Sequence, residues 1–233
     1  MLILGIESAG SQVGCAIGGH EGVLASAHTG KGRQHAESLA PQIDFVRRQA
    51  GIEFSELGVV AVDIGPGLYT GLRVGISSAT TIAHALGIPM IGISSLDLLA
   101  FPARWTSRLI VTALDARRGE LFTALFRKVP GGIQRIRDPQ VNTPQELLAE
   151  LMTIEEPALL VGDGALRYQE IFSSIRRVEM AEQGLANPSA RSLVQLAHPQ
   201  ALREEFVPSR DIKPIYLRQP DAEINWKTRK EDS

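Results

Sequence analysis

Three short apolar runs stand at the head of the chain, Leu2 to Ile6, Val13 to Ile17 and Val23 to Ala27, divided by glycine-rich turns. Runs of this length between turn signals read as strands, and three in succession read as a meander. Leu39, Ile43, Val46 and Ala50 then recur at helical spacing, with Pro41 acceptable only in a first turn or at a kink. Val59 to Asp63 follows as a buried strand, Leu72 to Leu86 as a helix, Pro89 to Ile93 as a strand, and a short helix opened by Ser94 or Ser95. The order is βββαβαβα.

The second half repeats it. Leu109 to Leu114, Leu121 to Phe126 and Gly132 to Arg137 are strand candidates in quick succession. Thr143-Pro144-Gln145-Glu146 supplies an N-cap, a proline at the first helical position and a capping-box acid, ahead of Leu147, Leu148 and Leu151. Ala158 to Val161 reads as a strand, Leu166 to Ile175 as a helix, Val178 as the centre of a weak strand, and Leu193, Leu196 and Ala197 as a helix after Pro188-Ser189. Two such units predict an α/β fold of two ribonuclease-H-like lobes, the actin and sugar-kinase architecture. The lobes are expected at 1–104 and 105–218, with a linker near Pro102 to Ser107 and a polar tail at 219–233.

Hydrophobic residues make up 44% and charged residues 21% of the 233, a balance that excludes a disordered chain. Lys and Arg number 24 against 26 Asp and Glu, so there is no basic surplus to hold a nucleic-acid backbone unaided. A single cysteine, Cys15, excludes an internal disulfide and fits a reducing compartment; within Val13 to Ile17 it reads as a small hydrophobe. The start, Met1 to Glu7, lacks the basic region of a signal peptide, and a cytoplasmic location is expected. No charged residue falls between Arg73 and Asp97. Even so, Ser77, Thr80, Thr81 and His84 share one helical face opposite Leu72, Ile76, Ala79, Ala83 and Leu86, which predicts a two-faced helix rather than a membrane span.

The densest motif is Gly65-Pro66-Gly67-Leu68-Tyr69-Thr70-Gly71-Leu72-Arg73, at a strand-to-helix junction. It fits neither the dinucleotide fingerprint nor a Walker loop, and the chain's only Gly-Lys pair, Gly30-Lys31, is followed by Gly32. It is either a tight turn or a surface that a ligand or partner approaches closely. Asp115-Ala116-Arg117-Arg118-Gly119-Glu120 lies between two strands, either as a solvated hairpin or as a guanidinium contact for a phosphate or carboxylate. The five histidines include no pair at i and i+4, and no Gly-x-Ser-x-Gly elbow occurs.

The Gly65 to Arg73 motif, Asp115 to Glu120, Gly87-Ile88-Pro89 with Ser94-Ser95-Leu96, and Pro214-Ile215-Tyr216-Leu217-Arg218 together resemble the TsaB, or YeaZ, family over nearly the whole chain. The resemblance implies a non-catalytic partner of the transferase TsaD, assembled with the ATPase TsaE, in forming threonylcarbamoyladenosine next to the tRNA anticodon. It implies tRNA contact only through the complex, a homodimer when the chain is alone, and ATP and metal on the partner subunits, with no cofactor on this chain. The implied partner surface comprises Gly65, Pro66, Gly67, Tyr69, Thr70, Gly71, Arg73, Ser77, Thr81 and His84, with Asp115, Arg117 and Arg118. TsaD carries a metal-binding His-x-x-x-His where this chain has Ser95 and Leu99, so no catalytic or metal-ligating residue is expected. Glu7-Ser8 stands where the family has aspartate and threonine, and Leu68-Tyr69 replaces its serine and phenylalanine. Two enzyme readings stand beside this one. An ATP-binding phosphotransferase would use Glu7-Ser8-Ala9-Gly10-Ser11 as its phosphate loop, and a metal peptidase would need bound zinc or iron.

Overall fold

The apolar runs satisfy their backbone hydrogen bonds in two five-stranded sheets of the same topology. A computed structural model describes residues 1–30 and 35–218; Lys31, Gly32 and the tail 219–233 lie outside the described residues. The first sheet contains β1 (Leu2–Glu7), β2 (Val13–Gly19), β3 (Gly22–Thr29), β4 (Leu57–Asp63) and β5 (Met90–Ile93), in the order β3-β2-β1-β4-β5. Hairpin turns make β1, β2 and β3 antiparallel, whereas the helical crossovers make β1, β4 and β5 parallel. The second contains β6 (Leu109–Arg117), β7 (Glu120–Val129), β8 (Gly132–Asn142), β9 (Ala158–Val161) and β10 (Val178–Met180), in the order β10-β9-β6-β7-β8.

Alternation along each strand sends residues to opposite faces, and each face finds a helical cover. Leu4, Ile6, Cys15, Ile17, Val60 and Val62 pack against Leu39, Ile43 and Val46 of α1 (His35–Ala50) and Ala79 and Ala83 of α2 (Tyr69–Leu86). The other face of that sheet, with Ile3, Ala16, Val59 and Ala61, is covered by Leu193, Val194, Ala197 and Ala201. These belong to α7 (Ala190–Leu202), whose N-cap Ser189 accepts from the Arg191 N–H. In the second sheet, Leu109 and Val111 meet Leu147 and Leu151 of α4 (Pro144–Thr153) and Phe172 of α6 (Gln169–Phe172). Its opposite face, with Ile110, Phe122 and Phe126, is closed by Leu96, Leu99 and Ala100 of α3 (Ser95–Ala100).

The strands of the two sheets fall on either side of residue 104, but the helices do not respect that division. From the first half α3 closes the second sheet, and from the second half α7 closes the first. The chain then returns once more to the first lobe. Val207 pairs with Met90, and the Ile215 N–H donates to the Ile64 carbonyl at 2.7 Å, so 207–215 runs as a strap beside edge strand β5.

One local expectation is corrected. The helix expected over Leu166 to Ile175 is two short ones, α5 (Asp163–Arg167) and α6, broken at Tyr168 with φ −111°. Gly162, at φ 121°, turns the chain so sharply off β9 that helix starts at once. Pro41 lies inside α1, past its first turn, which leaves the kink of the two places allowed for it. The capping box at Thr143 and Glu146 forms as read.

Candidate functional site

Parallel pairing sets Ile6 of β1 beside Val62 of β4, and one residue further each strand ends in an acid on the α7 side. Glu7 and Asp63 are each 2% exposed. One oxygen of Glu7 accepts from the N–H groups of Ala9 (2.9 Å) and Gly10 (3.4 Å). One oxygen of Asp63 accepts from the Gly65 N–H (2.7 Å) and the Ser95 hydroxyl (2.6 Å), while Oδ2 is buried without a donor. Burial, then the neighbouring Asp63, pushes Glu7 well above the usual carboxylate range. Burial lifts Asp63 to about 7, against the Ser95 and Gly65 hydrogen bonds that favour its charge. A proton on Glu7 relieves the repulsion between the two.

The loops that these acids organise are held together by glycines. A Cβ on Gly67 would stand 2.4 Å from the Ala9 carbonyl oxygen, and one on Gly71 2.0 Å from that of Ser8. The Ser8 hydroxyl donates to the Gly71 carbonyl at 2.8 Å, and the Leu68 N–H to the Ala9 carbonyl at 2.7 Å. Gly65 sits at φ 98°, which a side chain disfavours. The motif's glycine side is thus filled from within, Gly67 and Gly71 by Ser8 and Ala9 and Gly65 by Ile215 and Leu72. Of the residues named for a contact surface, Gly65, Pro66 and Gly71 are buried in this packing and Gly67 is half-buried.

The other side of the same helix faces outward. Tyr69, Thr70, Arg73, Ser77, Thr81 and His84 are exposed in one stripe along α2. Arg73 donates to the Tyr69 hydroxyl at 2.6 Å and lies 5.3 Å from its ring centroid. Tyr69 in turn meets Tyr216 of the strap at 5.3 Å between ring centroids. A shallow hollow of about 470 Å³ opens here, lined by Tyr69, Thr70, Arg73, Val74, Ser77 and Ser78.

In the second lobe, Arg117, Arg118 and Gly119 turn the β6–β7 hairpin with φ of 67°, 55° and 80°. Asp115 pairs with Arg117 at 3.3 Å and with Arg167 of α5 at 2.7 Å, both guanidinium groups being half exposed. Asp163 accepts from the Asp115 N–H at 2.9 Å, and Arg218 of the strap pairs with Glu120 at 2.7 Å. Between this hairpin and the first-lobe loops lies a slot of only about 20 Å³, bordered by Gly10, Ser11, Gly67 and Asp115. That is room for a water and not for a phosphoryl group. The Ser11 hydroxyl, weighed for a phosphate loop, donates instead to Asn187 at 2.9 Å.

Ser95 is buried as the donor to Asp63, and Leu99 lies in the core under the second sheet. Among the described residues no three His, Cys, Asp or Glu side chains gather where they could hold a metal ion. Cys15 is fully buried, and burial pushes its thiol up to about 12, which removes it as a nucleophile. No helix of the described residues is long and apolar enough to cross a membrane. Sequence reasoning named Glu7 and Tyr216 within motifs but set neither Glu7 beside Asp63 nor Tyr216 against Tyr69; the available signal for the acid pair was an acid closing each of two apolar runs, Ile6-Glu7 and Val62-Asp63.

The family model described as TsaD, tRNA N6-adenosine threonylcarbamoyltransferase, matches residues 25–226. The tRNA threonylcarbamoyladenosine biosynthesis protein TsaB of Bacillus subtilis is 27% identical over 228 residues, covering 97% of this chain and 98% of that one. The Mycobacterium tuberculosis protein Rv3421c, described as uncharacterized, is 34% identical over 200 residues, 86% of this chain and 82% of its own. The solved structure of YeaZ from Pseudomonas aeruginosa has the same fold, with a TM-score of 0.80 at 24% identity over 93% of this chain and 99% of that one. The chain therefore belongs to the TsaD-type family and, within it, to the TsaB/YeaZ group, whose named members serve tRNA threonylcarbamoyladenosine biosynthesis.

Proposed function

We propose that the chain is a non-catalytic subunit of cytoplasmic tRNA threonylcarbamoyladenosine formation that pairs with TsaD through the outward face of α2. The observation that carries this reading is the division of labour on that helix. Its glycine side is consumed by Ser8 and Ala9, leaving an ordered stripe of Tyr69, Thr70, Arg73, Ser77, Thr81 and His84 with no internal duty but the Tyr69 contacts with Arg73 and Tyr216 and the Thr81 hydroxyl bond to the Ser77 carbonyl. Aromatic and arginine side chains dominate binding energy at protein interfaces, and small polar residues beside them let a partner helix come close. TsaD supplies the metal and the transfer chemistry, TsaE the ATPase, and tRNA is engaged by the assembly. The exposed Arg117 of the β6–β7 hairpin, with Arg118 beside it, extends the contact to an anionic group at the junction. In isolation a second copy occupies the same α2 face.

Calorimetric titration against TsaD tests the reading. Arg73→Ala and Tyr69→Ala should each cost about 2 kcal/mol of binding, roughly thirtyfold in affinity. The melting temperature should hold for Arg73→Ala and fall slightly for Tyr69→Ala, which also loses the Tyr216 contact. Wild-type affinity in both variants would remove this face from the interface. Reconstitution with TsaD, TsaE, ATP, tRNA and threonylcarbamoyl-adenylate, omitting one component at a time, checks the catalytic assignment; modification by this chain without TsaD would overturn it.

A further inference from the structure

On the side of the first sheet away from α2, the chain encloses a cavity of about 370 Å³, inside the range of about 300–1,000 Å³ of small-molecule sites. One wall is the face of β2 and β3 that carries Ser26 and His28. The other is the segment leading into α7, with Asn187, Ser189 and Arg191. The hydrogen bond from Ser11 to Asn187 ties the first-lobe loop to that second wall. Glu7, 2% exposed, forms part of the lining.

Two independent features define what the cavity would take. Arg191 is exposed in the first turn of α7, a helix of 13 residues in which Ser189 takes the Arg191 and Leu193 N–H groups and those of Ala190 and Ser192 are left over. A guanidinium beside such amides favours a carboxylate, for which it offers charge-assisted and bidentate hydrogen bonds. Glu7 is the second feature. Its Oε1 is committed to the Ala9 and Gly10 amides, and its Oε2 has no hydrogen bond among the described residues. Burial favours the neutral acid, which can both donate and accept, as a hydroxyl group requires. Gln12, Ser26 and Asn187 add neutral hydrogen-bonding groups, and His28 an imidazole.

We propose that this cavity binds a small hydroxylated carboxylate, its carboxylate held by Arg191 and the first turn of α7 and its hydroxyl met by Glu7. The site lies on the opposite face of the sheet from the α2 stripe, so it stands or falls independently of the TsaD interface.

The full chain, labelled with nitrogen-15, is titrated with L-malate, with succinate, which differs by lacking the hydroxyl, and with inorganic phosphate. Saturable L-malate binding is expected, with amide shifts centred on Glu7, Ser26 and Arg191, and at least about tenfold weaker binding of succinate and phosphate. Arg191→Ala should weaken L-malate at least about tenfold. Ser26→Phe, at an exposed position on β3, should fill the cavity and abolish binding while the melting temperature holds. Glu7→Gln keeps the acceptor for the Ala9 and Gly10 amides and should narrow the gap between L-malate and succinate. The proposal is overturned by no saturable L-malate binding, by wild-type affinity in Arg191→Ala, or by succinate or phosphate binding as tightly as L-malate.

Discussion

The two lobes meet the same electrostatic problem at the same point of their topology and solve it in opposite ways. In each, a central strand and its parallel neighbour lead to acids side by side: Glu7 and Asp63 in the first lobe, Asp115 and Asp163 in the second. In the first lobe both are buried, and that burial drives them toward protonation. In the second, burial raises Asp163, but Asp115 keeps two half-exposed guanidinium groups, from Arg117 and Arg167. What differs is the loop that follows. Ser8 and Ala9 pack against a glycine face and bring no cation, whereas Ala116-Arg117-Arg118-Gly119 turns outward with two left-handed arginines. One lobe has turned its strand ends into internal packing and the other into a charged, solvent-facing hairpin.

The sharpest way to break this contrast is at the loops themselves. Gly71→Val places methyl groups where the Ser8 carbonyl already stands and should destabilise the fold by on the order of 4 kcal/mol. Gly119→Ala, in open space at φ 80°, should cost about 1 kcal/mol. Denaturant unfolding of the two variants measures both; equal losses would mean that the first-lobe loop is no more tightly packed than the hairpin.

A second test uses pH. Burial raises Asp63 in the folded chain to about 7, from 3.8 for an unperturbed aspartate, and raises Glu7 as well. Between those values the folded state binds more protons than the unfolded one, so stability is greatest on the acid side and is lost as pH rises through 7. The loss across that interval should be on the order of 4 kcal/mol. Asp63→Asn should flatten the dependence between pH 5 and 8, followed by urea denaturation at each pH. A slope left unchanged would place the proton elsewhere.

The smallest effects belong to the solvated lobe. Asp115→Ala removes a carboxylate whose side chain is 7% exposed, releases two half-exposed guanidinium groups and the Arg117 N–H, and should cost about 2 kcal/mol. Arg218→Ala removes the pairing with Glu120 that ends the strap and should cost about 0.5 kcal/mol, with faster amide exchange confined to residues 207–216. A larger global loss from Arg218→Ala than from Asp115→Ala would make the strap, rather than the hairpin, the stronger tie of that lobe.

The order of elements was readable because strands and helices leave different periodicities. The Thr143 capping box was readable because both partners lie within four residues. Contacts that depend on distant segments were not. Periodicity showed that Leu193 and Ala197 share an apolar face, but not that this face covers Ile3 and Val59 rather than the strands nearer in sequence. Glu7 and Asp63 look like ordinary strand-end acids until parallel pairing sets them together. The Gly65 to Arg73 motif was found, but which of its sides was spoken for depended on Ser8 and Ala9, more than fifty residues earlier. Tyr69, Thr70 and Arg73 lie on the side left open, and the glycines on the side that is closed.

The exchange of α3 and α7 between lobes also governs how the chain emerges during synthesis. All five strands of the first sheet exist once Ile93 has been made, yet the helix that covers Ile3, Ala16, Val59 and Ala61 is complete only at Leu202. At translation rates of about 5–20 residues per second, that apolar face waits roughly 5–20 s for its cover. The nascent first lobe is therefore a half-closed body that cannot be released early, and a ribosome stalled midway through the second sheet leaves a sticky intermediate. Each lobe supplies the other's cover in sequence order: α3 is made before its sheet, and α7 only after its sheet is complete.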